Sequence, residues 1–133
     1  MKKTLFLSMI ISLIIVSCTQ KKTEPVGKIE NTTKSISLWS DSVKVEPSAL
    51  LLSFERINKA IDSLGYPDAG YKLWLIQGDT IKNYRFMVEG SWPNQAIYDT
   101  IHKNELYKNA MKAEEKLFNG LKMVTYNRFT IVK

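Results

Sequence analysis

Tyr84-Arg85-Phe86-Met87-Val88-Glu89-Gly90-Ser91-Trp92 is the stretch on which the fold turns. In a strand it sets Tyr84, Phe86, Val88, Gly90 and Trp92 on one face and Arg85, Met87, Glu89 and Ser91 on the other. The first face belongs to a core and the second is mixed. Just upstream, Tyr71 to Gln77 (YKLWLIQ) is short, apolar and rich in aromatic residues, so it reads as a strand buried on both faces. Gly78-Asp79 between the two runs is a hairpin signal, with a loop to Asn83 longer than the tightest type.

Working outward, each strand of this hairpin is flanked by a helical pattern. Before it, Glu46-Pro47-Ser48 starts a helix in which Leu50, Phe54, Ile57, Ile61 and Leu64 recur at spacings of three and four until Gly65. After it, Pro93-Asn94 opens a segment with Ile97 and Ile101 in phase. Asn104 then recaps a second run through Leu106, Ala110, Ala113 and Leu117 to Gly120, so the helix is interrupted at His102-Lys103-Asn104. The outermost elements are strands. Between Ser35 and Val45, Ile36 and Leu38 share one parity while Trp39, Val43 and Val45 share the other, which predicts a bulge near Ser40-Asp41-Ser42. Met123 to Val132 carries apolar or aromatic residues on both parities, as an inner or subunit-bridging strand does. The order β-α-β-β-α-β predicts an α+β fold over residues 35–133: a ferredoxin-like plait, its four-stranded antiparallel sheet covered on one face by two helices.

The remaining N-terminal residues have another purpose. Lys2-Lys3 precede an apolar run from Thr4 to Val16 that ends at Ser17-Cys18, the order of an export leader, and the run is too short to span a bilayer as a permanent helix. Ile15-Val16-Ser17-Cys18 resembles the bacterial lipobox, which implies cleavage after residue 17 and acylation of Cys18. Residues 18–34 are polar and without periodicity, the composition of a lipid-anchored flexible linker. The expected location is the bacterial cell envelope, and the outer membrane if the cell is Gram-negative, since Thr19 stands where an aspartate would retain the protein. Cys18 is the single cysteine of 133 residues, so the domain holds no internal disulfide and relies on its core. Without Lys2 and Lys3, the formal charge of +6 falls to +4, too mild to indicate nucleic acid.

Two helices cover one sheet face, yet Trp39, either Trp74 or Leu73, Met87 and the last strand bring apolar groups to the other. A patch of that size needs a cover, either a second copy or a flat ligand.

Glu89-Gly90-Ser91-Trp92-Pro93 followed by Tyr98, His102 and Tyr107 is similar to the E-x-x-W…H pattern of the antibiotic-biosynthesis-monooxygenase-like dimeric α/β-barrel proteins. The resemblance implies a homodimer whose two sheets form a barrel, with a pocket between each sheet and its own helices. It further implies, as one function, a cofactor-independent monooxygenase-like or haem-binding and haem-degrading enzyme. The reading favoured here is a binding or interaction domain without chemistry, holding a small apolar or aromatic molecule or another protein, with the enzyme as the alternative.

His102, the sole histidine, is the candidate catalytic residue, as a base or an axial haem ligand, and equally a helix-break residue capping carbonyls or packing on Trp92. Trp74, Tyr84, Phe86, Trp92 and Tyr98 are candidate pocket walls for a planar molecule, and ordinary core residues on the other reading. No cofactor is called for by the residues themselves, haem entering only through the resemblance. One histidine without a domain cysteine makes no usual zinc site. Arg85, Glu89 and Arg128 hold either a ligand carboxylate or one another. Lys108, Lys112 and Lys116 form a solvent-facing stripe, with an anionic membrane surface as a possible partner. The 84–92 strand lacks the glycine and aromatic pattern of RNA-recognition domains, and phosphate-loop and nucleophile-elbow motifs are missing throughout.

Overall fold

A computed structural model of the chain describes residues 31–41, 44–78 and 83–132. Cys18, the leader, most of the linker and the tip of the Gly78–Asn83 loop lie outside these residues. Pro47 occupies the first turn of α1 (Pro47–Ser63), where its missing N–H is no loss, and Leu50, Phe54, Ile57 and Ile61 form the buried stripe. The helix stops at Leu64, and Gly65 takes a positive φ of 90° that other residues avoid. The chain returns as β2 (Gly70–Leu75), and beyond the hairpin loop follows β3 (Phe86–Trp92).

Asn94 caps α2 (Gln95–Lys103) by accepting the Ile97 N–H at 2.9 Å. Asn104 ends α2 and begins α3 (Glu105–Ala113), its side chain accepting the Leu106 N–H at 2.8 Å. The break expected at residues 102–104 is therefore a shared cap. A second break at Glu114 separates a single turn, α4 (Glu115–Phe118), from α3. Glu114 is held by Arg56 of α1 through Nε–Oε1 and Nη2–Oε2 contacts of 2.5 and 2.7 Å, a bidentate fastening that keeps its carboxyl below the usual range.

The first strand, β1 (Thr33–Asp41), and the last, β4 (Leu121–Thr130), complete a four-stranded antiparallel sheet in the order β2-β3-β1-β4. The sheet order and the helices on one face are those of the expected plait. Details differ. The strand expected from residue 35 starts at Thr33, an irregularity lies between Leu38 and Trp39 against β4, and Ser42 of the bulge expected at residues 40–42 lies outside the described residues. β2 is not buried on both faces within one copy, for Trp74 is 48% and Leu75 47% exposed. An edge strand has no neighbour on its outer side, and periodicity alone does not reveal which strand is at the edge.

On the helix-covered face, β3 contributes the large residues Phe86, Val88 and Trp92, whereas β1 beside it contributes Thr33, Ser35 and Ser37, all buried. The small hydroxyl side chains leave room for two indoles and satisfy them. Trp39, expected on the opposite face, is therefore on this one, sharing the parity of Ser35 and Ser37 and packing on Phe118. Trp92 Nε1–H donates to Ser35 Oγ at 3.3 Å and Trp39 Nε1–H to Ser37 Oγ at 2.6 Å. Gly90 lies under Trp92: a Cβ there would meet the Ser35 hydroxyl and stand 2.9 Å from two indole atoms. Gly90→Ala should therefore lower unfolding stability by about 1–3 kcal/mol, the usual cost of overpacking, measured as a shift in the denaturant midpoint.

Candidate functional site

Six elements of the fold converge on one aromatic cluster. Tyr71 is positioned first, because its backbone is clasped from outside the sheet by Asn58 of α1. The Asn58 side chain donates to the Tyr71 carbonyl at 2.9 Å and accepts the Tyr71 N–H at 2.8 Å. The Tyr71 ring lies edge-on to Trp92, centroids 5.1 Å apart, and reaches under α2. Trp92 in turn meets Tyr98 at 5.3 Å and His102 at 5.0 Å, both edge-on, while Tyr98 and His102, one turn apart on α2, stack at 3.8 Å. Tyr107 of α3 stands 4.6 Å from the imidazole.

The hydrogen bonds assign the protons. His102 Nδ1 lies 2.7 Å from the Tyr98 carbonyl oxygen, which can only accept, so the hydrogen is on Nδ1. In the neutral ring Nε2 is then an acceptor, and the Tyr71 hydroxyl at 3.1 Å donates to it. The Tyr71 oxygen receives the Tyr107 hydroxyl proton across 2.6 Å. The chain therefore has one direction, from Tyr107 to Tyr71 to His102 to the α2 backbone. Tyr98 extends the cluster to β4, its hydroxyl 2.9 Å from that of Tyr126 and the Arg128 guanidinium 5.1 Å from its ring centroid.

Burial works against charge throughout the cluster. It holds His102 below its ordinary pKa, with the Tyr98 carbonyl pulling the other way and Arg128 adding to the depression. Burial also raises the phenols of Tyr71, Tyr107 and Tyr98, so all three stay protonated. A neutral imidazole with neutral phenols is a packed, internally satisfied arrangement rather than a base aimed at open space.

The six residues expected to line one pocket fall in four places. Trp92, Tyr98 and His102 meet, joined by Tyr71, Tyr107 and Tyr126. Phe86 is fully buried two pairs along β3, with the Arg85 guanidinium over its ring at 4.9 Å. Trp74 is on the opposite face of the sheet, and Tyr84 is in the extended segment before β3. Tyr71 is the member that sequence reasoning missed. Its signal was present in the alternation of YKLWLIQ, which puts Tyr71 on the parity of Leu73, towards the helices, and Trp74 on the other. Arg85 pairs with Asp41, and Glu89 accepts from Lys34 at 2.6 Å, so neither is held in reserve for a ligand.

The cluster does not fit a haem. An iron held by His102 needs a free imidazole nitrogen, but Nδ1 and Nε2 are both engaged, and the space beside the ring is filled by Tyr98 and Trp92. Among the described residues no group of three His, Cys, Asp or Glu side chains is placed to hold a metal. An open groove of about 330 Å³ lies between α1 and β2, lined by Leu51, Phe54, Glu55, Asn58, Tyr71, Lys72, Leu73 and Trp74. It reaches Tyr71 but not His102.

No protein-family model matches the sequence, and no protein of curated function is significantly similar to it. Solved structures do superpose on it. A protein of Arabidopsis thaliana aligns with a TM-score of 0.52 at 9% identity, covering 76% of this chain and 94% of that one. A Bacillus halodurans protein of the ethyl tert-butyl ether D family aligns at 0.50 and 14% identity, covering 76% and 99%. The fold is ferredoxin-like. Identities this low speak for the fold and not for a shared activity. A Thermobifida fusca protein of unknown function, described as dimeric and ferredoxin-like, aligns more loosely, at 0.48 and 15% identity over 77% and 92% of the chains.

From the engaged imidazole, a haemin titration of the wild-type protein and of His102→Ala at neutral pH should give superimposable Soret spectra. A Soret shift present only in the wild type would show that Tyr71 yields its place to iron.

Proposed function

We propose that this protein is a lipid-anchored envelope protein whose domain acts as a homodimeric binding or interaction module, without catalysis at His102. The carrying observation is the sheet face that none of the described helices covers. Ile36 and Leu38 of β1, Trp74 of β2, Met87 of β3 and Phe129 of β4 share it, and Trp74 and Phe129 are 48% and 50% exposed. Trp74, Met87 and Leu38 are direct cross-strand partners, so the patch runs continuously over three strands. Its charges favour being covered. Lys34–Glu89 and Arg85–Asp41 are paired within one copy, so a cover leaves neither partner buried alone. A second copy of the same face is the cover that such a surface fits, apolar over its middle and with two ion pairs closed within each copy.

The anchoring half of the proposal rests on Lys2-Lys3, the apolar run to Val16 and the lipobox-like Ile15-Val16-Ser17-Cys18. Acyl chains on Cys18 and a polar tether would hold the module at a membrane surface. The helix side supports binding over chemistry, since its imidazole and phenols satisfy one another.

Sedimentation equilibrium of the mature chain with Cys18→Ser should give a dimer, and Phe129→Lys with Leu38→Lys should give a folded monomer with an unchanged far-ultraviolet circular dichroism spectrum. A wild-type protein that stays monomeric at high concentration would refute the dimer. Metabolic labelling with palmitate should mark the wild-type chain and leave Cys18→Ser unmarked.

A further inference from the structure

α2 is lightly anchored: of its nine residues Ile101 alone is buried, as Tyr107 alone is in α3, whereas α1 buries six, and elements so lightly held open at low local free energy. What fastens α2 otherwise is the His102 cluster. Tyr98 reaches β4 through Tyr126, and His102 reaches β2 and α3 through Tyr71 and Tyr107. Beneath both rings is Trp92, fully buried.

The direction of the hydrogen-bond chain makes this fastening conditional. Nδ1–H is committed to the Tyr98 carbonyl, so an added proton goes to Nε2, where the Tyr71 hydroxyl now donates. The Tyr71 proton must then turn towards Tyr107, whose own proton loses the acceptor it has, in a place only 6% exposed. A cation also appears in the cluster. Arg128 of β4 opposes it, and Asp99 on α2 is the one carboxylate that favours it. Tyr71 of β2 and Tyr107 of α3 are protonated and neutral, and Trp92 of β3 does not titrate.

We propose that the His102 cluster is an acid-released latch on α2: with His102 neutral the helix is fastened over Trp92, and with His102 protonated α2 loosens and uncovers the indole while α1 and the sheet keep their places. A space between sheet and helices, lined by Trp92 and Tyr71, then exists in the released state and is filled in the fastened one. The linkage has a definite sign. An imidazole freed from the cluster takes its proton near the ordinary value of 6.5, while the fastened one resists to lower pH. Fastening is therefore at full strength above that value and weakens as pH falls through it. The latch is on the helix side of the sheet and does not depend on whether a second copy covers the other face.

Amide hydrogen exchange of the mature protein at about pH 5 and about pH 7.5, corrected for intrinsic exchange, tests the latch around the histidine titration range. Residues 95–103 should exchange several-fold faster at the lower pH, with α1 and β3 unchanged, and His102→Gln should abolish the difference. Equal acceleration in all elements, none in α2, or the same acceleration in His102→Gln would overturn it. Tyr71→Phe, which keeps the ring and removes the donor, guards against a His102 variant that fails to fold. The chain has one histidine, so its imidazole signal in nuclear magnetic resonance is unambiguous. That signal should titrate below 6.5 in the wild type, and a midpoint at or above that value would equally overturn the proposal.

Discussion

The indole of Trp92 lies back across Gly90 with its N–H on the Ser35 hydroxyl, and the packing of the helix side is arranged around that placement. A larger residue at 90 would lift the ring, and an apolar one at 35 would leave a buried donor without a partner. With the indole flat on the sheet, Tyr71 and Tyr98 meet its edge from either flank and His102 closes over it. Small residues on the central strand and large ones beside it thus decide the thickness of the layer in which the cluster sits.

Most of the architecture was legible because its signals are local. The 84–92 alternation, the α1 stripe ended by Gly65 and the Asn104 cap each depend on residues within a few positions of one another. What was not legible depends on pairing across the chain. Nothing within Tyr71–Gln77 says that β2 is an edge strand, so the exposure of Trp74 and Leu75 could not be read from it. The Leu38–Trp39 irregularity is a property of the β1–β4 register, again invisible to either strand alone.

The aromatic cluster was half legible for the same reason. Trp92, Tyr98 and His102 are close in sequence and were grouped together, but the residue that decides what the imidazole can do, Tyr71, enters from the other strand of the hairpin. Asn58 puts it there from still another element. Without Tyr71 the histidine reads as an available base or ligand. With it, both nitrogens are engaged, and the helix side becomes a self-satisfied layer while the bare sheet face remains the surface in want of a counterpart.

The clasp of Asn58 on Tyr71 also matters to how the molecule behaves in a crowd. β2 is an outer strand, and outer strands invite strangers to add a further strand by the free peptide groups along their rim. A carboxamide from α1 already occupies the rim groups of Tyr71, imitating the neighbour that a passing chain would provide. The ladder is interrupted there, and strand-by-strand growth into fibres finds no continuous template along that border.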